Sequence, residues 1–152
     1  MSGLSHMDGE GRARMVDVGG KPVQRRIARA EGRISLCAQA VALLRENRLQ
    51  KGNALTVAQV AGIAAAKRTA ELIPLCHPLG LDHVSVDLAI VDDGVTVTAE
   101  ARCLGRTGVE MEALTAASIA LLAIYDMCKS VDRGMRIEGV RLVEKRKEDP
   151  EA

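Results

Sequence analysis

A chain of 152 residues with 47% hydrophobic content is long enough to fold as one domain around a real core. Its 21 basic and 20 acidic residues leave a formal net charge of +1, which excludes a global field for nucleic acid or a membrane surface. One Tyr and no Phe or Trp leave the core to Ala, Val, Leu, Ile and Met, and remove the stacking platform that single-stranded bases need.

From the N-terminus, residues 1–14 are polar and Gly-rich and are expected to form a mobile arm. They contain no apolar leader, and no later run approaches the length of a membrane span, so a soluble, cytoplasmic protein is expected. The stretch RMVDVGGKPVQRRIARAEGRIS reads as extended chain broken by a Gly-Gly-Lys-Pro turn, with Lys21, Arg25, Arg26 and Arg29 clustered beyond it. Ser35 is a candidate cap for a short helix through Leu36, Ala40, Val41 and Leu44, fading near Lys51-Gly52. A second helix follows Asn53 and runs to about Leu72, where Pro74 forbids continuation. Pro74 and Pro78 also push Ile73 and His77 toward extended backbone, so ELIPLCHPLGL forms a rigid loop that displays Cys76 and His77.

Two strands come next. Val84, Val86, Leu88 and Ile90 alternate with small or polar residues, as do Val95, Val97, Ala99, Ala101 and Cys103, and Asp92-Asp93-Gly94 joins the two runs as a hairpin. GRTG then leads into a long helix, VEMEALTAASIALLAIYDMCKSV, and Gly134 precedes a final strand, MRIEGVRLVEK. Counting the helical pair as one unit, the order is that of an α+β, ferredoxin-like split βαβ fold with helices packed on one face of an antiparallel sheet. Residues 15–147 are expected to form a single catalytic domain and residues 148–152 a frayed acidic tail.

Several groups of residues could carry chemistry. Lys51, Lys67 and Arg68, with Lys21, Arg25 and Arg26, read either as solvated surface charge or as a cradle for a polyphosphate. In GRTGVEME, Gly105 and Gly108 let backbone approach a ligand at a helix N-terminus, while Glu110 and Glu112 are equally ordinary partners of the helix dipole. Asp126 and Lys129 lie three apart on one helical face at the end of an apolar run. They read as a surface ion pair or as a partly buried proton-transfer couple. Cys37, Cys76, Cys103 and Cys128 show no C-x-x-C pairing and suit reduced thiols. Cys76 and His77 lack further ligands at zinc spacing, so no metal site is expected.

LSHMDGEGRARMVDV, KGNALTVAQVAGIAAAKRT, ELIPLCHPL, GRTGVEMEALTAASIALLAIYDMCK and VRLVEK, in this order, closely resemble the MoaC family of molybdenum cofactor biosynthesis over roughly residues 4–145. The resemblance implies a pyrophosphate-releasing lyase that converts 3′,8-cyclo-7,8-dihydroguanosine 5′-triphosphate to cyclic pyranopterin monophosphate. It implies no cofactor beyond Mg2+ that could accompany the triphosphate, an upstream radical-SAM GTP cyclase as substrate supplier, and a homohexamer built from dimers. It also implies roles. Asp126 would be the main acid-base residue, Lys129 its partner, and Lys51 close to the chemistry. Lys67, Arg68, Lys21, Arg26 and His77 would hold phosphates or the purine, within a loop that includes Leu75 and Cys76. Glu110, Met111 and Glu112 would line the base side, Lys145 would close the pocket, and Asp17 would lie near it. The Gly/Ser-rich tail common after the matching lysine is replaced here by RKEDPEA.

Two rival classes remain on the residues alone: a nucleotide-binding module that does not turn over, and a structural assembly subunit. Separately, Glu112 and Asp126 are fourteen residues apart, about 21 Å along an unbroken helix, so they share a face without sharing a small site. A site shared across an antiparallel two-fold dimer is the expectation that reconciles the two.

Overall fold

Alternation with period 2 and helical runs rich in alanine resolve into eight elements in a computed structural model that describes residues 7–150. They are β1 (Gln24–Ser35), α1 (Ala38–Arg45), α2 (Ala54–Ala66), α3 (Thr69–Leu72), β2 (His83–Val91), β3 (Gly94–Gly105), α4 (Glu110–Cys128) and β4 (Arg136–Glu148). The strands pair antiparallel in the order β2-β3-β1-β4, which is the expected ferredoxin-like arrangement. Residues 1–6 of the expected arm, and residues 151–152 of the expected tail, lie outside the described region. Within the rest of the arm, Asp8 accepts hydrogen bonds from the Glu10 and Arg12 amides and closes a turn bridged by Met7 and Ala13.

One face of the sheet carries the core. Ala28, Ala30 and Ile34 of β1 and Val95, Val97, Ala99, Ala101 and Cys103 of β3 are buried there, against Ala113, Ala116, Ala117, Ala120, Leu121 and Ile124 of α4. The alternation expected of β2 and β3 is the observed one. Among the described residues no helix covers the other face, which is charged: Glu100 is gripped by Arg29 at 2.6 Å and by Arg102 at 2.6 Å, and Glu31 pairs with Arg141. β4 is an edge strand, mostly exposed, with two register irregularities and Gly139 at φ +66°. Bulges and charge of this kind blunt an open edge.

Several element boundaries differ from expectation. Ser35 does not cap α1; it is the last residue of β1, and Cys37 occupies the cap position without a side-chain bond. The acceptor comes instead from Asp132, whose Oδ2 takes the Cys37 amide at 2.6 Å while Oδ1 takes the Gly134 amide at 2.8 Å. Helix α1 stops at Arg45, short of Lys51, and Asn47 reverses the chain at φ 53°. The second helix breaks at Lys67-Arg68 and resumes for a single turn as α3, whose first residue, Thr69, is buried with its hydroxyl bonded back to the Ala66 carbonyl at 2.9 Å. Ile73 is extended as Pro74 requires. Strand β1 starts only at Gln24, and the chain from Arg14 to Val23 is not strand. Finally, α4 does reach the length and apolar character of a membrane span, with 19 residues, contrary to the expectation that no run would. Its inward residues are buried against the sheet, so that apolar character serves the core.

Helix α2 crosses α4 closely. A β-carbon on Gly62 would lie 2.8 Å from the Ala116 carbonyl oxygen and 3.1 Å from Val86 Cγ2. Gly62→Ala should therefore destabilise the fold, since overpacking costs about 1–3 kcal/mol against about 1 kcal/mol of gained helix propensity. A lowered urea midpoint with an unchanged slope is the expected result, and a raised midpoint would contradict the close crossing.

Candidate active site

Because α2 runs antiparallel to α4, the charged residues of both helices gather at two opposite ends. At the α4 C-terminal end, Lys51 in the turn before α2 reaches Asp126: its Nζ is 2.7 Å from Oδ2 and 3.0 Å from the Asp126 carbonyl oxygen. Lys129 Nζ is 2.6 Å from the other carboxylate oxygen, Oδ1. Hydrogen bonding to Lys129 first, then to Lys51, pulls the Asp126 carboxyl down to about 2. At neutral pH it is a carboxylate, able to accept a proton or orient two ammonium groups but not to act as an acid. Of the two readings of this pair, the surface one describes it better: Asp126 and Lys129 side chains are 53% and 57% exposed, so charge rather than burial tunes the cluster.

At the α4 N-terminal end lies a cleft of about 400 Å³, within the usual size of small-ligand sites. Of the expected site residues it is lined by Lys21, Leu75, Cys76, His77, Glu110, Met111 and Glu112. Glu112 is buried, at 4% exposure, and burial followed by the nearby Glu110 charge raises its carboxyl; among the described residues no cation pairs with it. Glu110 is salt-bridged to Lys145 of β4. Gly108 makes room for it, since a β-carbon there would fall 1.9 Å from Glu110 Oε2. The cap residue of α4, Val109, makes no side-chain hydrogen bond to the first turn. Burial, then Glu112 and Glu110, raises the Cys76 thiol, and burial lifts Cys103 to about 11, so both are thiols at neutral pH.

The other expected residues do not line this cleft. Asp17 Oδ1 accepts the Gly19 amide at 2.8 Å and shapes the turn before Lys21. Arg26 Nε and Nη2 each lie 3.4 Å from the carbonyls of Gly105 and Arg106, at the mouth of the GRTG loop. Lys67 and Arg68 stand exposed at the α2–α3 break, and neither they nor Lys21 form an ion pair among the described residues. His77 Nε2 is 2.8 Å from the Val16 carbonyl, so that nitrogen is engaged by backbone.

Two expected groupings come apart. Lys51 does not join Lys67 and Arg68; they occupy opposite ends of α2, about 21 Å apart along its axis. Arg25 and Arg29 leave the basic cluster because strand alternation sends them to the charged face, where Arg29 bonds Glu100. Glu112 and Asp126 share a helical face but not an environment: Glu112 is buried and Asp126 is exposed. The cleft also uses Gly108, which the GRTG reading had singled out, and residues that sequence reasoning missed, Val16, Val18, Leu79 and Thr107. The valines had a signal. In MVDV, alternation aims Val16 and Val18 one way and Asp17 the other.

The model of the MoaC family matches residues 15–148. Similar proteins carry the name cyclic pyranopterin monophosphate synthase. One from Novosphingobium aromaticivorans is 58% identical, covering 96% of this chain and 93% of its own. One from Thermomicrobium roseum is 53% identical, covering 100% and 98%. One from Chloroflexus aurantiacus is 55% identical, covering 94% and 89%.

The raised Glu112 carboxyl has a sign that can be tested. The unfolded chain releases this proton near 4.5 and the folded chain only at higher pH, so above 4.5 folding carries a penalty that is absent below it. Glu112→Gln should raise the melting temperature at about pH 8 and give no gain at about pH 4. A variant less stable than the parent at about pH 8 would show that the carboxylate is held by a favourable partner.

Proposed function

The chain belongs to the MoaC family, and we propose that it is a pyrophosphate-releasing lyase of molybdenum cofactor biosynthesis, forming cyclic pyranopterin monophosphate from 3′,8-cyclo-7,8-dihydroguanosine 5′-triphosphate. The observation that carries this reading is the cleft, where Lys21, with Lys67 and Arg68 at the same end of α4, leaves cations unpaired for phosphate oxygens. Beside them the buried Glu112 offers a carboxyl group to the N–H donors of a guanine-derived ring.

Rearranging that ring needs protons moved on and off nitrogen, and cyclising the phosphate needs a stabilised pyrophosphate leaving group. Asp126 takes the part of base and aligner, and Lys51 and Lys129 present N–H donors from its two oxygens. Lys145 closes the base side through Glu110. Among the described residues no three His, Cys, Asp or Glu side chains converge as metal ligands, and we assign any Mg2+ in the reaction to the triphosphate it accompanies. The four cysteines are free, which suits the reducing cytoplasm, where a radical-SAM GTP cyclase would supply the substrate.

The two charged ends become one site if two copies pack α4 antiparallel about a two-fold axis. Exposed apolar residues on both helices, Val57 and Val60 of α2 and Leu122 of α4, favour such burial, and three such dimers would give the hexamer.

Purified protein given the cyclised triphosphate should release pyrophosphate, whereas a sensor would bind it and stop. Asp126→Asn should keep substrate affinity and lose at least a hundredfold in kcat, the scale of one general acid-base group. Co-assembling inactive Glu112→Ala and Lys129→Ala chains at equal amounts should restore roughly a quarter of parental activity, since half the dimers mix and each has one intact site of two. No recovery in confirmed mixed dimers would place each site within one chain.

A further inference from the structure

Residues 15–22 form one wall of the cleft, through Val16, Val18 and Lys21, yet they belong to neither helix nor strand. Their other hydrogen bonds are internal: Asp17 to the Gly19 amide at 2.8 Å, and the Lys21 amide to the Val18 carbonyl at 3.0 Å. Among the described residues, the hydrogen bond that ties the whole segment from 7 to 22 to the body of the protein is the one between His77 Nε2 and the Val16 carbonyl, at 2.8 Å. The body side of that bond is stiff, because His77 sits between Leu75 and Leu79 in a loop bounded by Pro74 and Pro78.

A carbonyl oxygen only accepts, so Nε2 must carry the hydrogen. The neutral imidazole then has only an acceptor left, at Nδ1, which a phosphate oxygen cannot use. Resting on the function proposed above, we propose that His77 acts as a positioning residue: it latches the Val16 carbonyl to the Pro-bounded loop and so fixes the cleft wall that carries Lys21. Its effect on substrate passes through the placement of Lys21 and of the two valines rather than through a grip on phosphate.

Amide hydrogen exchange of substrate-free full-length protein tests the latch without reference to activity. In His77→Ala, peptides spanning Met15–Val23 should exchange at least tenfold faster, with the sheet and α4 unchanged. His77→Gln, whose side-chain amide can donate to the same carbonyl, should restore slow exchange. Exchange in His77→Ala equal to the parent overturns the proposal, as does a His77→Gln chain that folds and exchanges like the alanine variant. A double-mutant cycle on KM supplies the functional arm. Lys21→Ala and His77→Ala should each raise KM roughly tenfold, and the double variant should stay near tenfold, because the second change removes what the first has already displaced. A double variant near a hundredfold would mean that His77 meets the substrate independently. Should the parent release no pyrophosphate, the assigned reaction fails, and the exchange measurement still decides the latch.

Discussion

Gly62 faces the Ala116 carbonyl across a gap that has no room for a methyl group, and this contact sets how α2 lies along α4. A wider crossing would need larger side chains between the helices; the chain uses Ala58, Ala65, Ala66, Ala113, Ala116 and Ala120 there instead. The same closeness explains how a core almost without aromatic residues excludes water, since short side chains fill space only when the backbones approach. It also brings Lys51 within hydrogen-bond reach of Asp126, and it carries Lys67 and Arg68 to the end of α4 where Glu110 and Glu112 begin the helix. The distribution of charge therefore follows from a packing constraint between small residues.

The two ends differ in how far their charges are settled. Around Asp126, both carboxylate oxygens accept from lysines, and the cluster is satisfied within itself. Around the cleft the balance is incomplete: a buried carboxyl group has no cation, and cations nearby have no carboxylate among the described residues. Such imbalance is costly in a resting protein and is what a ligand bearing both N–H donors and phosphates would relieve. Glu110 and Lys145 sit between these regimes, already paired and placed at the rim, where they can close without needing substrate to neutralise them.

What could be read from the residues was whatever depends on local period. The strands β2 and β3, their buried faces, the hairpin between them and the long helix all follow from alternation or from an apolar run bounded by glycine. Boundaries set by distant partners were not legible. Nothing near Ser35 announces that Asp132 supplies the acceptor for α1, and nothing near Lys67 announces that the helix is interrupted there. The cleft was legible through the motifs that resemble a known family, and Leu75, Cys76, His77, Glu110, Met111 and Glu112 do converge there. Closeness in sequence misled where geometry alternates: Arg25 and Arg29 lie one and three residues from Arg26 but face away from it, and Asp17 was named where its neighbours Val16 and Val18 form the wall.

The bond from Asp132 to the Cys37 amide spans 95 positions of chain, and β1 lies in the middle of the sheet with β3 on one side and β4 on the other. During synthesis, then, β1 emerges first and waits for both neighbours, and α1 waits for its acceptor until the end of α4 has left the ribosome. A fold ordered this way completes nearly at once, when the last third of the chain arrives, rather than element by element. Until that moment the inner face of β1, Ala28, Ala30 and Ile34, is exposed, while Arg25, Arg26, Arg29 and Arg33 give the waiting strand a dense positive charge that opposes pairing with another copy of itself.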